Sequence, residues 1–556
     1  MADGAPQTQG EQTVKLSTCL TAGASILALA ALTGASISAS AHPIYYPYKA
    51  GTTHMASNRP LAHVGPYEAP YVAPKKNSSG TWADLTATLP FSNGPWGAML
   101  LTDGTVIVQD YCTSPAQWYK LTPDSKGQYS DGTWSKIATM PSGYSPLFFA
   151  QQVLTDGRVI INGGEYNDCN GDWTNKGALY NPQSNSWTSV SAPSGWSTIG
   201  DAESIILPNG TYMLANCCDD PGEQALASIS GTTVKWTTGS SYDYNDEQGY
   251  TPLPDGNVLM VDVWNHGSDY DDYEIYDTST GAWSLAGETA DYLSSPSTYE
   301  LGAAPLTPQG PAGGTIIQFS ANTSLGVNDV YSVANGKWTS GPVMKVGNTI
   351  YDCADAPATT LPDGNILVQA SPGTFSTPSH FWEFRVSKKG KVKAVQVNDT
   401  KQAGNTSSFE STMLDLPTGQ VLWDNSQATP EVALYTPNGK PKKNWLPVVS
   451  SVSSTLTVGS TANAISGTNF NGWDLGGTYG DDAQSATNWP IVRITNNSSG
   501  DVCYGHSYSF STMGVWTTGT TNAVFDVPST CQTGASTLQV IVNGIASTGV
   551  SVTLNS

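Results

Sequence analysis

From residue 98 to residue 423 the chain repeats one pattern: an apolar run, a polar turn closed by glycine, and a second apolar run. The copies read AMLLTDGTVIV, QQVLTDGRVII, SIILPNGTYML, TPLPDGNVLMV, LTPQGPAGGTIIQF, TTLPDGNILV and MLDLPTGQVLW, with turn glycines Gly104, Gly157, Gly210, Gly256, Gly314, Gly364 and Gly419. By subtraction these glycines lie 53, 53, 46, 58, 50 and 55 residues apart. Short apolar, β-branched runs separated by Asp-Gly or Asn-Gly predict antiparallel hairpins. A hairpin cannot bury both of its faces alone, so a repeat of this length predicts sheets stacked around an axis, a seven-bladed β-propeller.

Most heads are followed by a strand with Tyr and then one with Trp: Tyr119 and Trp134, Tyr180 and Trp187, Tyr276 and Trp283, Tyr331 and Trp338, Tyr435 and Trp445. Recurring aromatics of this kind are expected to pack between blades. Trp82, in GTWADLTATLP, has no head of its own and is expected to close the ring by joining the last blade, which removes open sheet edges. Residues 81–447 are the expected propeller. From 448 to 556 the heads vanish and Ser/Thr/Val strands alternate, as in STLQVIVNGIASTGVSVTL, which suits an immunoglobulin-like β-sandwich. The expected fold class is all-β.

Before the repeats, Lys15, the apolar centre Ile26 to Leu32 and the small-residue exit Ala39-Ser40-Ala41 read residues 1–41 as a signal peptide or N-terminal anchor. Residues 42–80, rich in Pro and Tyr without periodicity, read as a linker. Nothing else is apolar over about 18 residues, so the mature chain is expected to have no membrane span and to be secreted or held at the cell surface.

A formal net charge of -22 and a sequence pI near 4.4 argue against binding a phosphate backbone, so no nucleic-acid partner is expected. Cations, neutral glycans or another cell-envelope component are compatible partners. Seven cysteines follow the leader, in a compartment that favours disulfides. Cys503 and Cys531, alone in the last domain, are the expected pair. Cys112, Cys169 and Cys217 share one rim, Cys217 adjoins Cys218, and Cys353 follows Asp352.

The seven heads, the GTW strand, and the C-terminal segments YGDDAQSATNWPIVRIT (479–495), STMGV (511–515) and VNGIAS (542–547) together resemble the galactose oxidase-like kelch family, in the form of its secreted bacterial members. The resemblance covers nearly the whole mature chain. It implies a propeller with a copper ion held by two His and two Tyr, one Tyr cross-linked to a Cys. Three of those positions fall nine residues before a turn glycine. There the chain has Phe148 for the Cys, Asp201 for the cross-linked Tyr and Glu410 for a His, while Phe409 stands for the other Tyr and His506 is the candidate for the second His. Copper needs imidazole and the radical needs a phenol. The resemblance therefore carries the fold, and copper-radical oxidation is not supported. His266, His380 and His506 are scattered over separate repeats and read as surface or loop residues.

The same offset selects Glu247 and Asp355 in the fourth and sixth blades, and Pro95 and Pro305 in the first and fifth. Four of seven equivalent positions are acidic in a chain where acids are 45 of 556 residues. With blades arranged as the resemblance implies, Asp201, Glu247, Asp355 and Glu410 converge at one mouth as ligand-binding residues, Asp201 and Glu410 being the metal candidates. Glu203, Glu300 and Asp352 are expected to line it more loosely. Converging carboxylates repel unless something compensates them. A hard cation such as calcium, a polyol or glycan, or a carboxylate pair doing acid/base hydrolysis would do so, set against solvated residues capping an empty funnel. The reading favoured is a secreted or surface binding propeller. The alternatives are an oxidoreductase with a departed ligand set and a carboxylate-dependent glycan hydrolase, and no catalytic residue is assigned.

Overall fold

The computed structural model describes residues 79–217, 222–241, 245, 247–263, 271–295, 300–426 and 429–556. The leader 1–41, the linker up to residue 78, Cys218 and His266 lie outside the described residues.

Each head folds as the two inner strands of an antiparallel blade sheet, four-stranded in five blades, five-stranded in the fifth and extended to six strands in the sixth. In the first blade Pro95–Leu100 and Val106–Asp110 are buried throughout, whereas the outermost strand, Thr133–Lys136, is largely exposed. Burial of both faces explains why the heads are continuous apolar runs rather than alternating ones. The turn glycines take φ values such as 75° at Gly104 and 81° at Gly364, a left-handed conformation that only glycine adopts cheaply. The inner strands of the next six blades are Ala150–Val153, Ser204–Ile206, Thr251–Pro252, Leu306–Thr307, Ala358–Thr360 and Ser411–Asp415.

The ring closes as expected. Thr81–Asp84 pairs antiparallel with Glu431–Thr436 and so supplies the outer strand of the seventh blade. Trp82 packs 4.9 Å from Tyr435 and 4.8 Å from Phe381, ring centre to ring centre. It thereby takes the place the repeat suggested for Trp445, which lies instead in the short turn Lys443–Trp445 leading out of the ring. In the second, fourth and fifth blades the Tyr–Trp pairs meet within one blade, at 4.9 Å for Tyr180 and Trp187, 5.3 Å for Tyr276 and Trp283 and 4.9 Å for Tyr331 and Trp338.

Val448–Val452 begins the second unit, whose two sheets share the strand Val502–Tyr508 and form the immunoglobulin-like sandwich. Cys503 and Cys531 are bonded within it, and Cys112 bonds Cys169 between loops of the first two blades. Cys217 is also disulfide-bonded, while Cys353 is a buried free thiol. Among the described residues no helix is long and apolar enough to cross a membrane.

One piece of the sandwich leaves it. The hairpin Gly476–Thr478 and Ser485–Ala486 enters the ring and pairs with Ala358–Thr360, adding two strands to the inner edge of the sixth blade. At its stem, burial and the neighbouring Asp415 hold the Asp474 carboxyl well above the usual range. Burial pushes Asp415 up to about 7, against a hydroxyl donated by Thr359 at 2.8 Å.

An unfolded Asp releases its proton near pH ~4, so between about 4 and 7 the folded chain binds more protons and stability falls as pH rises. The urea midpoint is expected to drop from pH 5 to pH 8, and Asp415→Asn to recover about 1–3 kcal/mol of that loss. A midpoint that is flat over this range, or one that Asp415→Asn leaves unchanged, contradicts the assignment.

Candidate metal centre

The inner strands are approached from the chain by short lead-ins, and these carry the acids. Asp201, Glu247 and Asp355 stand just before the inner strands of the third, fourth and sixth blades, and Glu300 precedes that of the fifth. The nine-residue offset from the turn glycine thus falls on the lead-ins, just before the inner strands. Glu247 and Asp355 have φ of 61° and 43°, and Phe148, at the same offset in the second blade, has 50°. A non-glycine residue in this region is strained, and leaving the strand's strict alternation is what frees its side chain from the blade interior.

The inserted hairpin brings the sandwich to the same place. Its tip is Tyr479-Gly480-Asp481-Asp482-Ala483-Gln484. Ala483 N donates to Phe149 O at 3.1 Å, Ser485 Oγ to Ala98 O at 2.8 Å, and Tyr479 Oη to Phe409 O at 2.5 Å. Those bonds tie the tip to the second, first and seventh blades. Small residues make the approach close enough. A Cβ on Gly477 would stand 2.2 Å from Met413 O, and one on Gly249 would stand 2.0 Å from Gly480 O.

Five buried carboxylates meet there in two groups, Asp201–Glu247–Asp481 and Glu247–Glu300–Asp355, within each of which one oxygen per residue lies within 4.8 Å of the others. Calcium–oxygen bonds of about 2.3–2.6 Å bring ligand oxygens to such separations. Burial, then Glu300, Asp481, Asp355 and Asp201, push the Glu247 carboxyl well above its usual range. Burial, Asp482, Asp355 and Asp201 do the same to Asp481. Asp482 is 1% exposed and is raised by burial, Asp355, Asp201 and Glu165. Ionising such a cluster without a compensating cation is costly.

The other half of the axis is aromatic. Phe148 packs 5.0 Å from Trp96, 6.0 Å from Tyr166 and 6.3 Å from Phe409, and Phe375 lies 5.1 Å from Phe409. The grouped acids of the ring thus come from blades three to six and most of the rings from blades one, two and seven, with Phe375 added by blade six.

Several expected site residues lie elsewhere. Glu410 is buried in the turn Ser408–Glu410 of the seventh blade and belongs to neither group. Glu203 adjoins the Tyr250 phenol, and Asp352 accepts the Ala354 N–H at 3.3 Å. His506 remains on the sandwich strand Val502–Tyr508, stacked on Tyr508 and 3.5 Å from Asp526, near the turn glycine Gly157 at the opposite end of the inner strand from Phe148. The element that enters the axis is 476–486, so among the described residues no imidazole reaches the position the resemblance implied. His380, expected on the surface, is a buried strand residue held 2.7 Å from Asp399. Copper of the radical type does not fit Phe148, Asp201, Phe409 and Glu410.

The fold and this centre define an all-β, seven-bladed propeller whose axis is filled by an acidic hairpin from a following sandwich. No family model matches the chain. A kelch-like protein, terF, of Aspergillus terreus is 28% identical over 130 residues, 22% of this chain and 25% of that protein, so the match spans about a quarter of the relative's length. Among solved structures, a fungal alcohol oxidase of the AA5 family in complex with copper aligns with 86% of this chain and 99% of its own, at a TM-score of 0.49 and 14% identity.

Gly249 has an ordinary φ, so Gly249→Ala tests the hairpin contact alone. It is expected to cost about 1–3 kcal/mol in urea unfolding and to speed proteolysis within 476–486. Unchanged stability and unchanged cleavage would place the tip elsewhere.

Proposed function

We propose that the chain is a secreted or cell-surface binding propeller that holds a hard divalent cation, calcium foremost, on its axis. The observation that carries this reading is the convergence of Asp201, Glu247, Glu300, Asp355 and Asp481 from four consecutive blades and a second domain. All of their donors are carboxylate oxygens, the set suited to calcium and unsuited to copper. Disulfides such as Cys112–Cys169 and Cys503–Cys531 suit an oxidising compartment. Hydroxyl-rich ligands, glycans or another envelope component, complete calcium coordination with oxygen and are the partners this chemistry favours.

A second reading rests on Glu247. A carboxyl whose hold on its proton is strengthened by burial and by neighbouring acids is also what a general acid requires, as in a glycan hydrolase.

Purified mature protein is expected to retain calcium by elemental analysis. After chelation, restoring calcium to about 100 times its Kd should add roughly 2.7 kcal/mol, a rise in Tm of about 2–3 °C for a chain of this size. Alcohols and added copper should yield no peroxide. Stoichiometric copper with peroxide release would overturn the reading. Glycan cleavage that Glu247→Gln abolishes without unfolding the protein would move the assignment to hydrolysis.

A further inference from the structure

We infer that the axial centre holds two divalent cations bridged by the Glu247 carboxylate. The inference rests on the cation reading above and adds to it the number of ions and the residue between them. The five carboxylates form two ligand groups rather than one, and Glu247 is the only member common to both. A carboxylate has two oxygens and can give one to each ion. The groups also differ in origin. Asp201–Glu247–Asp481 joins two blades to the sandwich hairpin, whereas Glu247–Glu300–Asp355 is built from the propeller alone.

Charge counting points the same way. Five ionised carboxylates around one divalent ion leave three negative charges in a buried site; a second ion leaves one. Asp482 supplies a further acid at the same place. Both of its oxygens are buried with no hydrogen-bond partner among the described residues, and its charged neighbours are Asp355, Asp201 and Glu165. A buried carboxylate without hydrogen bonds is expensive, and a nearby pair of cations offsets it more fully than a single ion does.

The test is stoichiometry on the full mature protein, stripped with chelator and dialysed against radiolabelled calcium at pH 7.5. The wild type is expected to bind two ions per chain. Asp481→Asn and Glu300→Gln, which each damage one group, should bind one, and Glu247→Ala should weaken both by at least tenfold. Circular dichroism and the urea midpoint identify any variant that fails to fold, and the wild-type count needs no variant. One ion in the wild type overturns the bridged pair while leaving the single-cation reading intact. No bound calcium overturns both. Two ions that survive Glu247→Ala with unchanged affinity place the second ion elsewhere and overturn the bridge.

Discussion

A ring of seven sheets leaves a channel along its axis, and in this protein the rest of the structure depends on what fills it. The filler is not a propeller residue but the hairpin 476–486, held by strand pairing to Ala358–Thr360 and by bonds to three other blades. Close passage demands small residues on both sides, which Gly476, Gly477, Gly480, Ser485 and Ala486 supply on the hairpin and Gly249 on the ring. The sandwich is therefore part of the centre rather than an appendage to it.

Docking the hairpin creates the charge problem that gives the centre its character. Asp481 and Asp482 arrive at a place where Asp201, Glu247, Glu300 and Asp355 already stand, all buried. Burial, and after it the mutual repulsion that water cannot screen there, raise the proton affinity of Glu247, Asp481 and Asp482. Either protons or cations must offset it. The aromatic half of the axis, with Trp96, Phe148 and Phe409, offers neither, so any compensation is concentrated on the acidic side. Where the resemblance implied imidazole, phenol and thiol, the chain has carboxylates and phenyl rings, and its chemistry departs accordingly.

Much of the fold was readable because a repeat reports itself. The turn glycines located every blade, Trp82 gave away the closing strand, and Cys503 and Cys531 had no other partner in their domain. The site was readable only in part. One offset from the turn glycine found Asp201, Glu247 and Asp355 because those three lead-ins are alike. It missed Glu300 because the longer turn around Pro308–Gly314 shifts the count in the fifth blade. It included Glu410, whose short turn carries it away from the two groups. Asp481 and Asp482 belong to another domain, and no spacing within the propeller reports a neighbour that topology delivers. Two consecutive acids between Gly480 and Ala483, in a domain of Ser, Thr and Val, were the available signal. His506 misled because the strand that holds it never leaves the sandwich.

The most direct measurement is anomalous diffraction from crystals of the mature protein grown with terbium in place of calcium. An anomalous peak within bonding distance of Asp201, Glu247 and Asp481 is the predicted result. Carboxylates hydrogen-bonded to one another through shared protons, with no anomalous density among them, would contradict the account.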